Sequence, residues 1–280
     1  AGTDGRTANF TVDGANFNNN FGLSDGLPGG GNPISIDAIE EMQVVISPYD
    51  VRQTNFIGGG VNAITKSGTN TFKGSAYIYY NNENMHGNRV DDADLGERGK
   101  NRTTTYGFTL GGPIVKDKLF FFVNGEYEDN IVAGPSRLAR ENADQEYGGD
   151  SPYNRPLASD MDALRNHLID TYGYDPGRYA GYSVKTPGYK LMARLDWNIN
   201  DFNKFSIRWS YVDAKQLLGL GGMASLNTAD HLYEFASKTH SFAAELQSRL
   251  SPNTSNEARL SYVRVRDSRS SGAAAPSVTI

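Results

Sequence analysis

The sequence predicts a mainly β fold: a transmembrane antiparallel β-barrel, of which about seven strands are visible, preceded by part of a small α+β unit. Two observations carry this. From about residue 71 onward, short segments alternate apolar and polar side chains, and the connections between them are in turn short and long. Outer-membrane barrels have this asymmetry, with tight turns on the periplasmic side and long loops outside. A compact soluble domain rarely carries three long loops on one edge.

Composition narrows the field. No run of apolar residues is long enough for a membrane-spanning helix. Mean hydropathy is negative, which also suits a barrel, because only alternate strand residues face lipid. Sixteen Tyr and thirteen Phe fit aromatic girdles. The absence of cysteine excludes a disulfide framework and thiolate metal sites. A formal net charge of −5, dispersed along the chain, leaves no basic stripe for nucleic acid. The chain opens on polar residues without a leader, so a leader has been removed or the chain starts inside a larger protein.

Residues 1–70 are rich in Gly, Asn and Asp around short apolar runs. Thr11-Val12-Asp13-Gly14 reads as a strand ending in a tight turn, since Asp-Gly readily supplies positive φ. Ile34 to Ile39 holds at most a helical turn, with Asp37 as a cap. Glu41 to Ile46 is a strand halted by Ser47-Pro48, and Asn62 to Lys66 is another. The glycines Gly58, Gly59 and Gly60 precede that last strand. No Gly-Lys-Ser/Thr follows them, so they indicate a tight backbone crossing and not a phosphate loop.

Residues 71–280 supply the strands. The clearest runs from Tyr189 to Ile199, with Leu191, Ala193, Leu195 and Trp197 on one face and Lys190, Met192, Arg194, Asp196 and Asn198 on the other. Its length suits a tilted strand crossing the hydrocarbon layer. Similar patterns cover 72–81, 103–112, 119–128, 205–211, 239–250 and 256–266. Phe120 and Phe122 spoil the third segment. In the last, Arg264 falls on the apolar side, which predicts a bulge or the membrane edge near Val263. The long connections 82–102, 129–188 and 213–238 then face the exterior. Within the longest, Ser159 can cap a helix over 160–172 whose stripe of Met161, Leu164, Leu168 and Ile169 packs on the loop itself.

Several segments resemble the plug of TonB-dependent outer-membrane receptors. They are Glu40-Glu41-Met42-Gln43-Val44-Val45, Ser47-Pro48-Tyr49-Asp50, Gly58 to Lys66, and the strand around Asp13-Gly14. Gly111-Gly112-Pro113-Ile114 with Lys116 to Phe122 is similar to the first periplasmic hairpin of the Oar-like subgroup, whose members often carry a carboxypeptidase-regulatory-like domain. The resemblance covers essentially the whole chain. It implies a 22-stranded barrel closed by a plug, with 1–70 the end of that plug and 71–280 the first strands. An open sheet would leave bare edges in lipid, so the expectation is a piece of a longer receptor. The resemblance marks Asp13, Gly14, Glu40, Glu41, Gly58, Gly59, Gly60 and Lys66 as plug-motif residues.

No catalytic or metal constellation stands out, and no cofactor is expected. His86, His167, His231 and His240 are scattered without metal-ligand spacing. Asp91, Asp92, Asp94 and Glu97 suggest a solvated acidic loop more than a calcium site, because their spacing departs from a calcium loop. Charges on the inward faces are the better candidates: Lys190, Arg194, Asp196, Arg208, Glu245, Arg249, Glu257 and Arg259. Facing lipid they would be costly; facing a plug they can pair with it, line a ligand path or simply be solvated. Arg52 is a candidate plug partner for wall carboxylates.

The function expected is import across the bacterial outer membrane by a non-enzymatic receptor. Its partners are a TonB-type energy-transducing protein, reached through a segment not in this chain, outer-membrane lipid and an unidentified extracellular ligand. A surface lipoprotein is a further candidate partner. The alternatives are an adhesin or protein-export component on the same fold and, more remotely, a soluble carbohydrate-binding β-sandwich.

Overall fold

The computed structural model describes residues 8–18, 32–45, 59–87, 89–90, 93–94, 99–135, 137–149, 151–220 and 225–271. Near its start, β1 (Ala8–Val12), β2 (Ala15–Asn16), β3 (Ile39–Val45) and β4 (Gly59–Thr65) form an inner sheet in the order β2-β1-β4-β3. β1 and β4 are parallel and the other pairs antiparallel. Asp13 (φ 46) and Gly14 (φ 76) occupy the centre of the two-residue turn between β1 and β2. Positive φ at both positions is what a type I′ hairpin requires.

All seven expected strands are present: β5 (Lys73–Asn82), β6 (Arg102–Val115), β7 (Leu119–Ala133), β8 (Gly188–Asn200), β9 (Asn203–Leu218), β10 (Tyr233–Ser251) and β11 (Thr254–Ser271). Each pairs antiparallel with the next, so the wall is an uninterrupted meander. The connecting turns contract to 116–118, 201–202 and 252–253. At the other end the strands run beyond their predicted limits into the long loops, and Ser183–Lys185 adds to the edge of β7.

Register sorts the two faces. Leu195, Ile207, Ala244 and Leu260 align in one outward row, and Trp197, Phe205, Leu246 and Ala258 in the next. No register shift interrupts β10–β11 between Tyr233↔Ser271 and Arg249↔Ser255, so the bulge expected near Val263 is not there. The membrane edge accounts for Arg264. Thr254 to Arg264 is ten residue steps; at about 3.4 Å each and a tilt of about 40°, that gives roughly 26 Å of height, against a lipid band of about 25 Å.

Phe122 shows why β7 breaks simple alternation. It faces inward and is buried with Met192 and Val212 of the wall against Val12, Phe17, Ile34, Ala38 and Ala63. The wall's inner face thus carries an apolar patch where these residues of the inner sheet press on it. Burial of this kind is worth about 25 cal/mol per Å² of apolar surface.

Four local expectations are corrected. Helix α1 spans Ala158–Tyr172 with Leu157, not Ser159, at its cap position. The chain enters it directly from the extended segment Tyr153–Leu157, so Ser159 is already helical. The helix buries none of its residues, and Leu164 and Ile169 are exposed. Asp37 lies inside the turn Ile36–Ala38, which has no side-chain cap, and accepts a hydrogen bond from the Tyr79 hydroxyl at 2.8 Å.

Among the described glycines the closest approach to backbone is at Gly68, outside the glycine run. A Cβ on Gly60 would meet its nearest neighbour at an ordinary 3.8 Å, and one on Gly59 at 3.3 Å. On Gly68 it would lie 2.3 Å from the Phe121 carbonyl oxygen and 2.9 Å from that of Gly112. Backbone cannot move aside as a side-chain tip can. Gly68→Ala is therefore expected to destabilise the join to the β6–β7 hairpin by about 1–3 kcal/mol, as overpacking does. Reduced heat resistance of the folded band on gels would show it; unchanged resistance would refute the crossing.

Candidate functional site

The contact between inner sheet and wall holds, beside its apolar patch, a buried polar cluster. Arg194 on β8 and Arg208 on β9 are direct cross-strand partners on the inward face. Like charges so placed repel, and Arg208 is only 2% exposed, so water cannot screen it. The type I′ turn brings Asp13 against both. Its Oδ2 lies 2.9 Å from Arg208 Nε and its Oδ1 3.7 Å from an Arg194 terminal nitrogen. The Arg208 contact is a charge pair, since that N–H makes no aligned hydrogen bond.

The remaining donors are used locally. Arg208 donates to the Val12 carbonyl at 2.9 Å and to Ser210 Oγ at 2.6 Å, with Phe17 beneath its guanidinium at 5.6 Å. Arg194 donates to the carbonyl and Oγ1 of Thr65 at 3.1 and 2.9 Å and is clamped by Asp196 at 2.8 Å. Thr65 donates its N–H and hydroxyl to Asp13 at 2.9 and 2.8 Å. One carboxylate thus ties β1, β4, β8 and β9 together.

A second buried contact contains residues that the sequence did not single out as a site. Ser35 ahead of β3 hydrogen-bonds Tyr77 of β5 at 2.7 Å, and the Tyr77 hydroxyl donates to Glu126 of β7 at 3.0 Å. Lys190 of β8 completes it with an ion pair to Glu126 at 2.7 Å. The available signal was a polar residue at mid-height on an inward face.

The other candidates are more dispersed. Arg259 joins Glu245 at 2.9 Å and Glu257 at 2.5 Å, and its tip lies over Gly14. Arg249 is exposed beside the turn, where its N–H meets the Phe202 carbonyl. Glu40 and Glu41 are exposed on β3, Gly59 and Gly60 lie in β4, and the Lys66 N–H bonds the Ala38 carbonyl at 2.9 Å. Arg52, Gly58, Asp91, Asp92 and Glu97 lie outside the described residues, as does the side chain of Asp94. Between inner sheet and wall runs an open cavity of about 1000 Å³, lined by Thr11, Asn62 and Gln43 on one side and Arg194, Arg208 and Glu245 on the other.

Above the wall, the second and third outer loops are joined. Backbone bonds link Ala229 to Arg178 at 2.8 Å and Asp230 to Pro176 at 3.1 Å, and the Tyr174 hydroxyl donates to Asp230. That bond pushes the Tyr174 pKa up to about 12, because the phenol must keep its proton to donate. Arg165, bonded to Asp175, and the Gly177 N–H hold the Asp175 carboxyl down at about 2.

Comparison with known proteins agrees with this geometry. The outer membrane beta barrel domain family matches residues 64–279. The TonB-dependent transporter Oar of Myxococcus xanthus is 33% identical over 119 residues, which is 40% of this chain and 11% of that protein. Among solved structures, the outer membrane transporter YddB from Escherichia coli superposes with a TM-score of 0.60 at 9% identity, covering 94% of this chain and 32% of that one. A mutant of the ferric enterobactin receptor PfeA from Pseudomonas aeruginosa gives 0.59 at 15%, covering 94% and 33%. The chain thus spans about a third of the length of these structures, and the likeness at such identity concerns the fold.

The Tyr174–Asp230 bond sets a pH window. Its contribution is complete below the ordinary tyrosine pKa of 10.0 and is lost as pH rises through about 12. In an ultraviolet titration of tyrosinate, Tyr174→Phe is expected to remove one late-titrating phenol. Loss of an ordinary phenol instead would contradict the join.

Proposed function

The chain belongs to the outer membrane beta barrel domain family, and from that premise we propose that it is part of a gated receptor that imports a ligand across the bacterial outer membrane. In this reading residues 1–70 are the end of a plug and residues 71–280 the first barrel strands. The observation that carries it is the docking of a separate polar sheet on the inward face of the wall through Asp13, Arg194 and Arg208. A sheet there for stability alone would be expected to have an apolar interface throughout.

Displacement is the functional step. A polar contact can be broken and remade because water replaces its hydrogen bonds, whereas an apolar core opens only at the full cost of hydration. A TonB-type partner supplies the pull through a segment elsewhere in the receptor. Ligand bound at the outer loops must favour one plug position over another, or it signals nothing. The relatives are transporters and receptors, which supports a non-enzymatic role. Joined outer loops would also suit an adhesin or export component, the second reading.

A labelled panel of ferric siderophores, cobalamin, oligosaccharides and peptides tests import in cells with and without the receptor and its TonB-type partner. The expected result is a compound accumulated only when both are present. Accumulation that survives removal of the partner would sink energy-coupled import.

A further inference from the structure

Above the Asp13 contact, the inward faces of β9 and β10 form a strip of small uncharged side chains. Ser210, Val212 and Ala214 on β9 stand opposite Ser241, Thr239 and Ser237 on β10, in that order. The strip starts beside Arg208 and rises toward the outer loops, since β9 leaves the turn at 201–202. Its lower hydroxyls are engaged: Arg208 donates to Ser210 at 2.6 Å and to Ser241 at 3.5 Å. The upper two are not. Ser237 and Thr239 are 0% exposed, yet among the described residues neither side-chain oxygen has a hydrogen-bond partner.

These hydroxyls lie on β10, which is paired on both sides, and they are already covered. Chain elsewhere in a longer receptor cannot reach them while that cover is in place. The inner sheet presses on the same strip: Val212, directly opposite Thr239, is buried with Val12 and Phe17. A buried hydroxyl without a partner loses its hydration and gains nothing in return. Alanine at 237 or valine at 239 would fill the same space without that cost, so seating the inner sheet does not explain the hydroxyls. A second state that satisfies them does, and withdrawal of the sheet supplies one. Lys190 on β8 and Asp267 on β11 flank the strip with one charge of each sign, beside Val212 and Ser237.

We propose that Ser237 and Thr239 line the path a ligand takes past the displaced inner sheet, and that this path suits an uncharged ligand rich in hydroxyl or amide groups. Each hydroxyl both donates and accepts, so it can stand in for water on either kind of group. A charged ligand would shed hydration there without meeting a counter-charge on the strip itself. The proposal rests on the import reading and goes further by naming the wall face and the ligand class.

Two measurements on the full-length receptor test this, with folding checked by gel mobility. In the first, amide hydrogen exchange across Ala8–Asn16 is read in detergent without any ligand. Thr239→Val keeps the shape and removes the hydroxyl, so exchange should slow about tenfold, the size expected for one unpartnered buried hydroxyl. Thr239→Ser keeps the hydroxyl and should not slow it. Ser237→Ala repeats the test if Thr239→Val does not fold. Unchanged or faster exchange in the hydroxyl-free variants would overturn the proposal. In the second, Ser237→Cys is treated in cells with a membrane-impermeant maleimide, while neutral oligosaccharides, neutral peptides or charged ferric siderophores are supplied. These 280 residues contain no cysteine, so the new thiol is the reporter once any others in the receptor are replaced. It should react only when a neutral compound and the TonB-type partner are both present. Partner-dependent accumulation with the thiol still shielded, or of a charged chelate alone, leaves import standing and overturns the path. Accumulation that survives loss of the partner removes the import reading, and the path with it.

Discussion

Two arginines directly opposite each other on neighbouring strands repel, and burial of one of them limits how far water can screen the pair. In this wall Arg194 and Arg208 have that relation, and Asp13 of the inner sheet stands against both. The arrangement is reciprocal. The wall needs the carboxylate to carry its arginines, and the inner sheet needs the arginines to hold its turn against the wall. Removing one partner of a buried pair typically costs about 3–5 kcal/mol, because the other charge is left uncompensated. The neighbouring apolar contacts of Phe122, Met192 and Val212 add adhesion without fixing register.

The same strands serve two solvents. Strand geometry sends alternate residues to opposite faces, so β8 presents Leu195 and Trp197 to lipid while Arg194 and Asp196 face inward. Strand tilt explains why one cross-strand row holds Tyr127 and Tyr189 on β7 and β8 yet Asp213 and Lys238 on β9 and β10. A row perpendicular to tilted strands climbs relative to the bilayer, and its far end reaches the headgroups. The joined outer loops sit beyond that level.

The sequence disclosed local periodicity well and distant partnership hardly at all. All seven wall strands and the Asp13-Gly14 turn were legible because strand alternation and turn φ are properties of adjacent residues. The Asp13–Arg208 pair was not legible: 195 positions separate the two residues, and only the register of β8 and β9 against the inner sheet brings them together. Arg208 is recognisable as an inward charge able to pair with a plug, but the sequence names no partner for it, and the plug residue it does suggest, Arg52, is matched to wall carboxylates instead. Phe122 misled for the opposite reason, since an apolar residue on the lumen side is explained only by what presses on it. At Gly68 the crowding comes from Phe121 and Gly112, far along the chain. Ser159 looked like a helix cap because the sequence does not show that the extended segment before α1 runs straight into the helix.

Amide hydrogen exchange of the full-length receptor in detergent tests the docking of inner sheet to wall most directly, because it reads β1 and β4 without requiring reversible unfolding. Asp13→Asn should raise exchange across Ala8–Val12 and Gly59–Thr65 roughly a hundredfold, as loss of about 3 kcal/mol of local protection predicts. Adding Arg208→Met should restore part of it, since the orphaned charge is then gone. Unchanged exchange in Asp13→Asn, or a double variant worse than the single, would contradict the account.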